Sequence, residues 1–285
     1  MRLLRPLIVL ALVAVPLQAG FLDWLFPKHD VQIVAVTDTT PAGAKFPQAS
    51  PAKPIYYQGV SAGFRDFGGI VAGEKIPPKE EVVKTITTVL AKRGYLPADA
   101  KHPPSILLLW TWGTMNTDMD YSGDDGSGRQ LNQRQLLRFM GGYKLGLVSK
   151  EPNSLADDMM QPGVMFRDAD SDLLYSLATE DLYVIALSAY DFEAATRKQK
   201  TLLWMTKISC PSIGLNLTEA LPAMMVLAAP HIGRETARPV SVKAEDKFKP
   251  DVKIGDPTIV EYMSQSSGSV IEAAPADSQK TKKGK

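Results

Sequence analysis

Cysteine, histidine and any excess of one charge are scarce in this chain, and each shortage removes a class of protein. Cys210 is the only cysteine, so no internal disulfide can form and stability must come from packing. Its neighbourhood offers only Lys207 to favour a thiolate, which makes it a small buried apolar side chain. The three histidines, His29, His102 and His231, stand apart from one another, without the spacing that sets two imidazoles on one helix face to hold zinc. Basic residues number 32 and acidic residues 31, a balance that lacks the basic surface needed to neutralise nucleic-acid phosphates. Gly141 to Gly146 lacks the Lys and Ser/Thr of a phosphate loop. The sequence therefore calls for no cofactor, no bound metal and no nucleic-acid partner.

What the chain does have begins at its N-terminus. Arg2 and Arg5 precede the apolar run Leu7 to Val15, which ends at Pro16-Leu17-Gln18-Ala19-Gly20. A basic start, a short apolar stretch and a small residue after a helix breaker form a secretory signal peptide, cleaved near Ala19. The predicted location is periplasmic or secreted. Loss of the two arginines moves the net charge from +1 to about −1. The cleavage region holds no cysteine, so the thioether attachment of bacterial lipoproteins has no acceptor there. The rival arrangement keeps residues 7–26 as an anchor approaching the roughly 20 residues of a bilayer span, although Pro16, Gln18 and Asp23 interrupt it. Membrane association is expected only through this segment, whose Phe21, Leu22, Trp24, Leu25 and Phe26 either fold onto the core or meet an interface.

The remainder divides into an N-terminal arm and loop (20–54), one globular domain (55–230) and a polar extension (231–285) whose end is disordered. Within the arm, Val31 to Val36 alternates as a strand and Thr37 to Pro54 collects the Pro, Gly and Thr of a long loop. Ile55 to Val60 predicts a second strand. Pro77 and Pro78 open a helix with Glu80 and Glu81 in its first turn, the stripe Val82, Val83, Ile86, Val89, Leu90, and Gly94 as its left-handed cap. Ile106 to Trp112 is nearly unbroken in apolar residues, the pattern of a central strand buried on both faces. Gln130 to Met140 predicts a helix, and Ser171 or Asp172 caps a short one. Tyr183 to Asp191 and Thr201 to Ser209 predict a β-hairpin. Asn216 and Glu219 have capping-box spacing for a last, apolar helix that tolerates Pro222 near its start. In the extension, Thr258 to Tyr262 is one strand-forming island.

Three constellations carry chemistry if the fold assembles them. Gly59-Val60-Ser61-Ala62-Gly63 matches the nucleophile elbow of serine hydrolases, and the chain supplies an order of Ser61, Asp191, His231. The glycines that follow, Gly68, Gly69 and Gly73, stand where such a fold needs a helix under the serine. Asp118, Asp120, Ser122, Gly123 and Asp124 resemble the start of a calcium loop, but Arg129 occupies the twelfth position where a bidentate glutamate belongs. Asp168, Asp170 and Asp172 are explained by helix capping. Trp110, Trp112 and Trp204 on strands point to core, with a sugar-binding platform as the alternative.

The helix ending Lys92-Arg93-Gly94-Tyr95, the strand Ile106 to Trp112, the hairpin through Ala189-Tyr190-Asp191 and Leu203-Trp204, and the final apolar helix together resemble a widespread group of bacterial envelope proteins, lipoprotein-like and of unknown function. The likeness spans roughly residues 55 to 230. It implies an α/β fold and an envelope location, and no catalytic residue. The expected architecture is α/β or α+β: a mixed β-sheet with a C-terminal hairpin, packed against two to four helices. The expected role is binding another envelope component without catalysis; the alternatives are a serine hydrolase using Ser61 and His231, and a calcium-responsive module on Asp118, Asp120 and Asp124.

Overall fold

Burial alternates with the two-residue period of a strand from Ile106 to Trp112, and seven strands assemble into one mixed sheet. The computed structural model describes residues 32–68, 75–117, 119–120, 129–151 and 161–243. In chain order these form β1 (Gln32–Thr39), α1 (Pro41–Lys45), β2 (Ile55–Phe67), α2 (Lys79–Lys92), β3 (Tyr95–Pro97), β4 (Ile106–Met115), the two-residue strands β5 (Met119–Asp120) and β6 (Arg129–Gln130), and α3 (Gln133–Phe139). A 3-10 turn (Gly142–Leu145), α4 (Pro162–Met165), α5 (Ala169–Leu177), β7 (Leu182–Asp191), α6 (Phe192–Thr196), β8 (Leu202–Pro211), α7 (Leu217–Ala228), a second 3-10 turn (Ala229–His231) and β9 (Val240–Lys243) complete the order. The fold is α+β.

The main sheet runs β3-β2-β4-β7-β8-β1-β9. β2 is parallel to β3 and β4, and the other neighbours are antiparallel. The expected β7–β8 hairpin lies at the centre of the sheet, with α6 inserted in its connection.

One face, called A here, carries the larger core. Ile106, Leu108, Trp110 and Trp112 of β4 share a core with Ile185 and Leu187 of β7 and with α2 and α7. Helix α2 forms as its sequence dictates. Glu80 and Glu81 stand in its positive first turn, and the stripe Val82, Ile86, Val89, Leu90 is buried. Gly94 ends it at φ 86°, where an added Cβ would lie 2.3 Å from the Ser50 backbone. Helix α7 starts on Asn216, whose Oδ1 accepts the Glu219 amide at 3.0 Å. Each large side chain packed here contributes roughly 1.5–3 kcal/mol on transfer from water.

The opposite face, B, is covered only toward one end. There α3, the first 3-10 turn and α5 lay Leu136, Leu137, Met140, Leu174 and Leu177 on Val34, Met115, Leu182 and Val184. Asn132 caps α3 in a full capping box with Gln135. Asp168, rather than Ser171 or Asp172, caps α5, because its carboxylate accepts the Ser171 amide at 2.9 Å.

Two boundaries differ from the sequence reading. β1 is an interior strand between β8 and β9, with Ile33 to Val36 at most 1% exposed, so it belongs to the domain and not to an arm ending at residue 54. The loop that follows is ordered by α1 and by a bridge between Ser50 and Lys53. At the other end, β9 pairs Val240–Lys243 with Gln32–Ala35, so the extension folds onto the sheet at least that far. No helix among the described residues is long and apolar enough to cross a membrane.

Candidate functional site

β4 was expected to be buried on both faces, yet its burial alternates from Ile106 to Trp112. Ile106, Leu108 and Trp110 are buried on face A, while Leu107, Leu109 and Thr111 on face B are only half-buried. The registers place these residues in rows that cross the sheet, exposed at β2 and buried at Ser188 of β7. Val60, Leu109, Ser188, Met205 and Asp38 form one cross-strand row. Gln58, Leu107, Tyr190 and Leu202 form the row on one side of it, and Thr111, Ala186 and Lys207 begin the row on the other. Val60 is 42% exposed and Gln58 is exposed. Among the described residues, α3 and α5 pack on Val34, Met115, Leu182 and Val184, while Val60 and Gln58 are exposed and Leu107 and Leu109 half-buried.

A polar cluster bounds these rows where β1 and β8 meet. Asp38 accepts a hydrogen bond from the Tyr143 hydroxyl. The Lys207 ammonium lies 3.5 Å from the same carboxylate and donates to Tyr143 Oη at 3.2 Å. Lys144, only 9% exposed, sits 3.4 Å from Asp38 and 2.6 Å from Glu235. It also donates to the carbonyls of Thr37 at 2.7 Å and Thr236 at 2.5 Å. Lys207 and Lys150 stand over the Tyr143 ring at 4.9 and 5.8 Å.

The electrostatics follow from this packing. Burial alone would raise the Asp38 carboxyl, but the Tyr143 hydroxyl and then Lys207, Lys144 and Lys150 outweigh it and hold it below the ordinary carboxylate value. Burial and the Asp38 charge push the Tyr143 phenol up. Burial pulls Lys207 down against the attraction of Asp38. Asp38 and Tyr143 are driven away from neutrality in opposite directions, so this pair is not poised for acid–base chemistry near pH 7.

No protein-family model matches the chain. No curated protein matches it in sequence. Among solved structures it is similar to a point variant of PelC from Paraburkholderia phytofirmans, described as a dodecamer. That similarity has 7% identity and a TM-score of 0.27, and covers 69% of this chain and 95% of the other.

The residues of the hydrolase reading do not meet. Ser61 lies within extended β2, not on a strand-to-helix turn, and its Oγ accepts the Gly63 amide at 3.3 Å. Asp191 pairs with Ile106 while Ser61 pairs with Trp110, four residues apart on β4 and thus roughly 13 Å along it. The Asp191 carboxylate is also engaged, accepting the Ala194 amide at 2.7 Å as the cap of α6. His231 follows α7, and its carbonyl accepts from Thr37 on β1. Four strand spacings separate β1 from β2, roughly 19 Å. The Gly-x-Ser-x-Gly glycines instead serve the sheet. Gly59 leaves room for the Trp110 ring, 2.6 Å from where a Cβ would stand, and Gly63 at φ 79° sits in the irregularity between Ser61 and Phe64.

The calcium reading meets a different obstacle. Asp120 is paired with Arg129 in the β5–β6 ladder, so the segment is closed by strands where an EF-hand has helices. Asp118 and Asp124 lie outside the described residues. Trp110, Trp112 and Trp204 are 4%, 2% and 4% exposed, which removes them as a sugar platform. Arg238 pairs with Asp168 and with Asp170, the latter at 2.9 Å, tying the C-terminal segment to the start of α5. The missed feature was the open half of face B, because a run of leucines and tryptophans carries no mark of which face lacks a cover.

Proposed function

We propose that this is an exported, non-enzymatic protein that binds another component of the cell envelope through the open half of face B. The observation that carries the reading is the group of exposed Val60 and half-buried Leu107, Leu109, Ala186 and Met205 on one sheet face, bounded by the polar side chains of Asp38, Lys207 and Lys150. Apolar centres with a polar margin are the anatomy of protein-binding patches. The signal-like N-terminus supports the compartment, and the separation of Ser61, Asp191 and His231 speaks against the serine-hydrolase alternative.

The test is site-specific photo-cross-linking in the native envelope. A photoreactive residue at Val60 is expected to capture one recurrent envelope protein, while the same residue at Val226, exposed on α7 beyond face A, captures none. Identical recovery from both positions, or no adduct from Val60, would overturn the proposal.

A further inference from the structure

One end of the main sheet gathers basic side chains. The registers set Tyr57 beside Ile106, Ile106 beside Asp191, Tyr190 beside Leu202 and Thr39 beside Trp204. β2, β4 and β8 therefore begin at this end, and β7 and β1 finish there. Its connections all lie within the described residues. The one from β1 to β2 holds Lys45 and Lys53, and α2 ends beside it on Lys92 and Arg93, where Gly94 meets Ser50. Lys101 follows β3, Arg197, Lys198 and Lys200 turn β7 into β8, and Arg234 follows α7. Arg93 is half-buried and the others are exposed.

The acids at the same end are engaged. Asp99 pairs with His102 at 3.0 Å, and Asp191 accepts the Ala194 amide. Glu193 pairs with Arg197, Glu235 with Lys144 at 2.6 Å, and Asp38 faces Lys144 and Lys207. Lys45, Lys53, Lys101, Lys198, Lys200 and Arg234 have no acidic partner among the described residues. Their summed field attracts an anionic partner from outside the chain.

The layout points to the kind of partner. From β3 to β1 the basic connections cross five strand spacings, roughly 24 Å, and Lys92 and Arg93 carry them from the sheet into the helix layer of face A. The charges thus spread in two dimensions, as a planar anionic surface requires, where an extended acidic chain would need only a line of them. The exposed large apolar side chains, Val60, Met165 and Phe166 among them, lie outside these connections, so the contact is with charged groups and not with acyl chains. We propose that this basic end docks on an anionic phospholipid bilayer, its lysines and arginines meeting the headgroup phosphates. Each such residue held at an anionic surface strengthens binding about fivefold, and the attraction fades within a Debye length, so salt weakens it. This contact is separate from the N-terminal segment and independent of the role assigned to face B.

The test is co-sedimentation of the full chain with vesicles of phosphatidylcholine alone, or of phosphatidylcholine with about one third phosphatidylglycerol. The neutral vesicles register whatever binding the apolar N-terminal segment supplies. The parent is expected to bind the anionic vesicles about tenfold or more tightly than the neutral ones, and raised salt removes the difference. Lys101→Glu and Lys200→Glu together are expected to abolish the preference. Lys75→Glu and Lys79→Glu, at the start of α2 and so at the opposite end, make the same change in net charge and keep it. A parent without the preference, or an equal preference in the Lys101→Glu, Lys200→Glu variant, overturns the proposal. Retention of the parent on polyglutamate without binding to anionic vesicles overturns it too, because the partner is then an acidic polymer.

Discussion

Tyr143, in the turn after α3, gives its hydroxyl hydrogen to Asp38 near the end of β1, joining residues 105 apart in the chain. The same carboxylate faces the ammonium groups of Lys144 and Lys207, whose side chains are 9% and 13% exposed. Asp38→Asn leaves two nearly buried cations short of their counter-charge, so it is expected to destabilise the fold by about 2–3 kcal/mol. Because the folded-state value of Asp38 is depressed, its contribution is present above the unfolded value of about 3.9 and is lost as pH falls through the folded one. Urea unfolding of parent and variant between pH 3 and 7 checks both, with the gap narrowing toward the acid end.

At high pH the sign reverses. Burial pushes Tyr57, Tyr95 and Cys210 up to about 12, and Tyr143 is raised as well. In the unfolded chain these groups release their protons from roughly pH 8.5 to 10 upward, while the folded protein keeps them. Stability therefore falls as pH rises through that interval toward 12. Lys207 acts oppositely, since its lowered value favours folding as it deprotonates, but it is one group against four. Melting temperatures measured from pH 8 to 11 should decline, and Tyr143→Phe should make the decline shallower.

Two glycines of neighbouring strands should respond very differently to alanine. At Gly113 a Cβ would lie 1.6 Å from the Arg65 carbonyl oxygen, inside the β2–β4 ladder; at Gly63 nothing lies within 4 Å. Gly113→Ala must separate the two strands and should cost about 3 kcal/mol or more. Gly63→Ala meets only its left-handed backbone and should cost about 1 kcal/mol. Soluble yield and urea midpoints of the pair decide this.

Asp191→Ala removes the cap of α6 and should cost about 1 kcal/mol. Ser61→Ala, whose hydroxyl makes one local contact with the Gly63 amide, should fall within about 0.5 kcal/mol of the parent. A serine-directed fluorophosphonate is expected to label neither parent nor variants. Stoichiometric labelling at Ser61 would restore the hydrolase reading.

Cys210 is fully buried and its thiol is held protonated. In the native protein it should resist a thiol reagent at neutral pH, then react with one equivalent once urea unfolds the chain. Reaction that is fast in the native state would mean that β8 opens locally.

Much of the fold could be read from local patterns. Glu80, Glu81 and the stripe through Leu90 define α2 because one helix face is apolar and the first turn is acidic. Asn216 and Glu219 define the start of α7 by spacing alone. The place of β1 was not legible, since six apolar-alternating residues look alike whether they end an arm or fill a gap between β8 and β9; only pairing across the whole chain decides it. The open rows on face B were hidden for a related reason. Leu107 and Leu109 read as core residues, yet neither joins the two buried clusters among the described residues. Ser61, Asp191 and His231 were chosen by order in sequence, which the strand order β2-β4-β7-β8-β1 then pulls apart.

The interior position of β1 sets the order in which the molecule can be completed. Thr37 and Thr206 join their hydroxyls at 2.7 Å across 169 residues, and the other side of β1 waits for β9. A chain emerging from its N-terminus therefore carries Gln32–Thr39 unpaired until almost all of the domain has been made. Contacts so distant in sequence are slow to form. The middle of the sheet is thus completed last, when β8 and β9 arrive on either side of β1.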